Sequence, residues 1–537
     1  MTAPTIDTSS LLTMLGIIAA VWALIPATAR MTFRLSFSRL DWALIFIGAV
    51  LIHLVVYNQV LQTFDLYPNL GPWIWGFDQN GVLYLMFLGL ASYVYVRART
   101  TRLSRRHLPL FGKLATSLLH GRKFEELGTL VEKHFETVLE MATHESARDR
   151  VATWIRPEEP MPSFMLSDRE LVLQSPAPLP WMVRAWNSGR HSLAQAVSSD
   201  EIVKQRARLI VSTVLGSRAF VGYLARAYPY LCLRLMVPAQ SIVDDFQDEF
   251  FAALLADESS IFFSEMKNNH NMAKGNRLLI PAENLLVSFY LHDVETAAKL
   301  GVYRSLGEAM LSTISNDRDL VERLNGPLVM YDEVGYHRCP IAAGVHFFRI
   351  MVLEGLHQRT FDHLWLHYVT HFTDRILKHA RDTRPEDDWT EFPTPFSYLL
   401  YQIVDVAADW IEEAIDLTQV GDTVTQGQSE GRHIHISFEA ASAVGLVMHS
   451  ILRSPKVTKR LKEELFTVVL RTYSHVNRTE RLAPLARAIE QAMVRPYDFR
   501  LTDDYLEILA QVYDEQDHVL RATTRELRAA IQEDFIE

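Results

Sequence analysis

Cysteine is nearly missing: 537 residues hold two, Cys232 and Cys339. They stand far apart and neither has a C-x-x-C partner, which argues against a disulfide framework and a cysteine-rich zinc site and fits a reducing compartment. Glycine and proline are also sparse, at 23 and 22 residues. Glycine then falls below its usual ~7 %, so long helices are expected in place of turn-rich β structure. The sequence has no phosphate-cradling G-x-x-x-x-G-K-[ST], no dinucleotide fingerprint G-x-G-x-x-G and no nucleophile elbow G-x-S-x-G. Their lack disfavours a nucleotide-driven motor and an α/β-hydrolase. An excess of positive charge is lacking too. The formal net charge is −11, which speaks against general nucleic-acid binding. No fixed-period repeat marks a solenoid.

What the chain has is apolar length. Three runs open it: Leu11–Ala29, Trp42–Phe64 and Gly81–Val96. Each is close to the ~20 residues that cross a ~30 Å hydrocarbon layer. A cleaved signal peptide is disfavoured, because the residues before Leu11 include Asp7 and no Lys or Arg. Arg30, Arg34 and Arg39 separate the first two runs, and Arg97, Arg99, Arg102, Arg105 and Arg106 follow the third. Between the second and third runs there is no basic residue, only Asp65, Asp78 and an aromatic stretch with Trp73 and Trp75. Basic residues stay on the cytoplasmic side. The expected topology is therefore three transmembrane helices in a cell inner membrane, with the N-terminus outside and everything after Arg97 in the cytoplasm. The five arginines also suit anionic lipid, at about 1 kcal/mol each, although an ordinary topology signal accounts for them. His53, Asn58 and Gln59 lie in the second run; a helix–helix hydrogen bond is favoured over an ion path.

The organisation read from the chain has five parts. A three-helix anchor covers 1–97, a basic and helical juxtamembrane segment 98–156, and a linker 157–180. The linker carries Pro157, Pro160, Pro162, Pro176, Pro178 and Pro180, a density that removes helical hydrogen bonds. A helical cytoplasmic domain fills 181–382 and a C-terminal helical region 383–537. Helices are expected over Phe124–Ala142, Glu201–Leu215, Ser241–Ala256, Ala282–Leu300, Ser305–Ile314, Ile341–Arg381 and Phe396–Asp416. The turn-rich stretch 316–340 has room for a short hairpin.

Four constellations could carry chemistry. Val345–His357 is apolar almost all round, yet holds His346, Arg349, Glu354 and His357. Buried polar groups need partners. Glu354 and His357 form E-x-x-H, the spacing that di-metal bundles use twice, but no second copy lies on a convincing helix. A buried structural network with Arg349 as partner is favoured. His363, His367 and His371 recur every four residues, with Asp374 and Lys378 on the same face. Such a row can chelate a metal, but the apolar stripe lies opposite, so a solvated or interface face is favoured. Asp244 and Asp248 sit in D-D-x-x-D, a diphosphate–Mg²⁺ pattern in helical prenyltransferases and terpene synthases; a second acidic group, Asp387-Asp388 to Glu391, follows in a proline-rich loop, and an acidic helix face is favoured. His292-Asp293 is the dipeptide used by metal-dependent phosphohydrolases, with His270 the near candidate for a further ligand.

The expectation is then a mostly α protein: a transmembrane anchor and a large multi-helical cytoplasmic domain acting as an interaction, sensor or effector module. No cofactor is called for. The partners are the bilayer, anionic lipid, and a protein or a second copy of the chain. A metal-dependent enzyme in the helical domain and an oligomeric pore gated by that domain are the alternatives.

Overall fold

The computed structural model describes residues 37, 39–57, 64, 79–99, 103–143, 151, 154–155, 163–167, 170–174, 180, 183, 186–190, 201–267, 280–281, 283–328, 339–358, 360, 366–417, 432–478, 480–496 and 503–534. These are mostly helical, as the scarcity of glycine implies. The chain divides into two compact units, residues 1–220 with 241–243 and residues 221–240 with 244–537. The division runs through the helix Arg218–Ala227 and follows neither the boundary at 180 nor the one at 382.

Unit 1 opens with α1 (Arg39–Val56) and α2 (Gln79–Arg99), which pack against each other. Asp41 in the first turn of α1 is buried. It accepts a 2.6 Å hydrogen bond from the Tyr93 hydroxyl and lies 3.2 Å from Arg97 Nε. Both partners sit near the end of α2, so the two helices run antiparallel. The first apolar run, Leu11–Ala29, lies outside the described residues, as do Asn58 and Gln59. Among the described residues no helix is long and apolar enough to cross a membrane. α1 has 18 residues, about 27 Å at 1.5 Å each, short of the ~30 Å layer. α2 has 21 residues but carries Gln79, Asn80, Arg97 and Arg99 at its ends.

A three-helix bundle follows: α3 (Leu108–His120), α4 (Phe124–Thr143) and α5 (Glu201–Leu215), each packed on the other two. Leu127, Val131, Phe135 and Val138 bury one face of α4, the 3.6-residue period that predicted this helix. His134 is buried edge-on to Phe111 at 6.2 Å; burial pushes its imidazole down to about 4 and keeps it neutral. A hairpin of β1 (Ser163–Ser167) and β2 (Glu170–Gln174) lies inside the stretch read as a linker, with Met165 opposite Val172.

The remaining helices are α6 (Arg218–Ala227), α7 (Pro229–Gln240), α8 (Phe246–Leu255), α9 (Ile261–Lys267), α10 (Leu285–Leu291), α11 (Val294–Leu300), α12 (Val302–Asn316), α13 (Arg318–Asn325), α14 (Pro340–His357), α15 (His367–His379), α16 (Pro395–Leu417), α17 (Arg432–Arg453), α18 (Lys459–Asn477), α19 (Ala483–Val494), α20 (Asp503–Asp514), α21 (His518–Thr523) and α22 (Arg525–Asp534). In unit 2, α14 supplies the centre of an aromatic core. Phe347 lies 6.5 Å from Phe251, 6.1 Å from Phe262 and 6.3 Å from Tyr290, ring centre to ring centre, within the range of favourable aromatic pairs. Where α17 meets α19, a Cβ on Gly445 would stand 2.5 Å from the Ile489 carbonyl oxygen. Only glycine lets these two backbones come so close.

Three expected helices are shorter than their periodic runs, Ser241–Ala256 being reduced to α8. Ala282–Leu300 is broken into α10 and α11 by Asp293, whose side chain accepts from the Glu295 amide and caps α11. Ile341–Arg381 is divided between α14 and α15. α13 replaces part of the expected turn-rich stretch, capped by Asp317 through the Leu320 amide. Residues 329–338, where a hairpin was expected, lie outside the described residues.

Candidate functional site

The polar residues of α14 converge on α16. α14 begins with Pro340 in its first turn, a position where the missing amide hydrogen costs nothing. From there most of the helix is buried. The turn ahead of α16 is closed by Thr394, whose hydroxyl accepts from the Ser397 amide at 3.2 Å. α16 then places Asp405, Asp409 and Glu413 at intervals of four, one stripe along the helix.

Arg349 Nη2 donates to Asp409 Oδ2 at 2.8 Å, with the two side chains 32 % and 39 % exposed. Deeper in, His357 Nε2 lies 3.0 Å from Glu413 Oε1, with side chains 10 % and 8 % exposed, although that nitrogen makes no aligned hydrogen bond. Burial pushes the Asp409 carboxyl up to about 6; Arg349 opposes this, while Asp405, Glu412 and Glu413 add to it. Burial likewise raises Asp405, against the pull of Arg349 and a hydrogen bond from Tyr401. The seam is thus a file of crowded carboxylates with one fixed cation. Its raised carboxyl lets Asp409 hold a proton up to about pH 6.

Glu354 has a different task. It is buried, and its Oε2 accepts from Gln358 Nε2 at 3.3 Å. The same Gln358 amide nitrogen donates to the carbonyls of Leu291 at 3.1 Å and His292 at 3.3 Å, and its Oε1 accepts from the Val294 amide at 2.9 Å. Glu354 thereby steadies a side chain that ties the end of α14 to the junction of α10 and α11. Glu354 and His357 therefore engage different partners despite their E-x-x-H spacing. Arg349 is half-exposed, not buried, and its ion pair is with Asp409 rather than Glu354.

The other candidates do not assemble. His363 lies outside the described residues. His367 opens α15, and His371 is exposed on the same helix as Asp374 and Lys378, opposite buried Tyr368, Phe372 and Ile376. α8 begins at Phe246, so Asp244 precedes it and does not share its face with Asp248. Asp248 pairs with Arg304 at 3.3 Å and accepts from Ser305. Asp387 accepts two 2.9 Å bonds from Arg381 and one from the Arg384 amide; burial would raise its carboxyl, and these bonds hold it below the ordinary range. Asp293 is a helix cap, and His270 lies outside the described residues. Among the described residues no group of three or more His, Cys, Asp or Glu side chains could hold a metal ion. Of the juxtamembrane arginines, Arg97 faces Asp41, Arg99 ends α2, Arg102 lies outside the described residues, and Arg105 and Arg106 are exposed in a 3₁₀ turn ahead of α3. His53 lies 3.2 Å from its own helix's Ala49 carbonyl.

Sequence reasoning missed Asp405, Asp409 and Glu413. Their i, i+4, i+8 spacing was visible, but it reads as the polar face of an amphipathic helix until Arg349 is set beside it. No family model, curated protein or solved structure matches the chain.

Proposed function

We propose that the protein is a membrane-anchored helical interaction module, held by its N-terminal apolar segments and presenting unit 2 in the cytoplasm. The exterior of the α1–α2 pair carries this reading. Phe46 is 69 % and Tyr95 64 % exposed, and Leu44, Ile47, Leu51, Leu88 and Val96 are exposed with them. An apolar patch of that extent is a liability in water and a match for lipid. The charged end of the pair, Asp41 with Tyr93 and Arg97, lies on the side where the basic residues collect, consistent with a cytoplasmic foot. In unit 2 the half-exposed Arg349–Asp409 seam is the place for a partner, because crowded carboxylates with raised proton affinity gain from an added cation.

The test is fractionation and topology of the full chain. It should stay in the membrane pellet after alkaline carbonate, and a reporter fused after residue 110 should report the cytoplasm. Release into the supernatant, or reporter activity on the far side, overturns the proposal.

A further inference from the structure

The helical bundle of unit 1 distributes its exposed charges unevenly. α4 turns Glu125, Glu132, Glu136 and Glu140 to solvent, with Lys133 among them, and buries its large apolar residues. α5 buries Ala207, Ile210, Val211 and Val214 and packs on both α3 and α4. On its outward side α5 instead exposes Ile202, at 69 %, and Leu209, at 66 %. Arg206, also exposed, stands four residues after the first and three before the second, so the three form one stripe. α3 contains no acidic residue. Its Gly112 faces Ile210, marking where α3 meets α5, and the next residue, Lys113, is exposed.

Single exposed aliphatic residues are ordinary on a protein surface. Two on one helix face, bracketing an arginine, with no acid on α3 and the exposed glutamates gathered on α4, form an amphipathic interfacial pattern. The chain length fits. Five residues separate Arg99, the end of α2, from Arg105, a reach of about 20 Å. The bundle therefore begins next to whatever surrounds α2.

We propose that the outward side of α5, Ile202, Arg206 and Leu209 with Lys113 of α3, docks on the anionic headgroup layer of the membrane. This rests on the reading of α1 and α2 as membrane-embedded. The aliphatic side chains enter the headgroup boundary, the cations meet lipid phosphates, and the acidic side of α4 faces away.

The full chain is reconstituted in nanodiscs of phosphatidylcholine, with and without phosphatidylglycerol. A fluorophore is placed at Leu209→Cys or, as a control on α4, at Glu136→Cys, and labelling of the unmodified chain is subtracted. In the anionic discs the label at 209 should be quenched by headgroup-proximal spin-labelled lipid, and the label at 136 should not. Removing Arg206 and Lys113 (R206Q with K113Q) should lower the docked-to-undocked ratio about fivefold per charge, and added salt should do the same. Incorporated protein with equal quenching at both positions overturns the docking while leaving the anchor standing. Failure of the chain to enter discs overturns both. Quenching indifferent to phosphatidylglycerol and salt removes the anionic lipid as partner. Copy-to-copy cross-linking through Leu209→Cys assigns the face to a homodimer instead.

Discussion

α1 and α14 each have 18 residues and each is apolar nearly all round, yet one shows its large side chains and the other hides them. Phe46, Leu44 and Ile47 of α1 are exposed, whereas Phe347, Ile350 and Met351 of α14 are buried. Apolar character alone therefore does not tell which medium covers a helix. The polar residues beyond the first turn of each helix differ more, since Asp41 at the start of α1 also reaches a second helix. Arg349 and His357 of α14 reach Asp409 and Glu413 on α16. Among the described residues, the hydrogen bond of His53 on α1 is to its own helix, at the Ala49 carbonyl.

The largest test of this contrast is a matched pair of truncations. Phe347→Ala should cost unit 2 about 3–5 kcal/mol by emptying the aromatic core. Phe46→Ala should leave the urea midpoint of unit 2 within about 0.5 kcal/mol of wild type. Equal losses would erase the distinction between the two helices.

A smaller effect sharpens it through pH. Asp409 titrates at about 6 in the fold, chiefly through burial, and near 3.9 when unfolded. The fold thus favours the protonated form. Its contribution is present below about pH 4 and is lost as pH rises through about 6. Discounted for a side chain 39 % exposed, this amounts to about 1 kcal/mol. Asp387 runs the other way, since its lowered carboxyl contributes above about pH 4 and fails as pH falls. Urea midpoints measured from pH 4 to 7 should show a flatter profile for Asp409→Asn than for wild type. An unchanged profile would mean that the seam answers to no proton at Asp409.

The smallest effect belongs to neither helix. Asp248 and Arg304 pair at 3.3 Å with side chains 38 % and 60 % exposed. Asp248→Asn should therefore shift stability by less than about 1 kcal/mol, and added Mg²⁺ should leave the melting temperature of wild type unchanged. A clear rise with Mg²⁺ would revive the D-D-x-x-D pattern as a metal site.

Helical class and several elements were legible from periodicity, α4 and α5 most directly, because one buried face repeats at 3.6 residues along each. Breaks were harder to see. Asp293 stops one helix and starts another, but beside His292 it looks like chemistry rather than a cap. α13 begins among Asn316, Asp317 and Arg318, a composition shared with turns, and is set by the Asp317 cap. The site was half legible. The oddity of Arg349, Glu354 and His357 in an apolar run was plain, but Asp409 stands 60 residues from Arg349, and local spacing carries no information about which distant helix will arrive. Gln358, which follows α14 and joins three backbone groups, drew no notice because a lone glutamine has no pattern.

The foot of the α1–α2 pair bears on how the protein is made. Asp41 is synthesised 52 residues before the tyrosine that hydrogen-bonds it. At about 5–20 residues per second the ribosome needs roughly 3–10 s to supply that partner. If the pair is the anchor proposed above, a helix with a carboxylate in its first turn is costly to release into hydrocarbon until then. On the proposed membrane reading, biogenesis would then have an order: α1 would wait at the insertion machinery, or at the headgroup level, and enter lipid together with α2 as a paired hairpin.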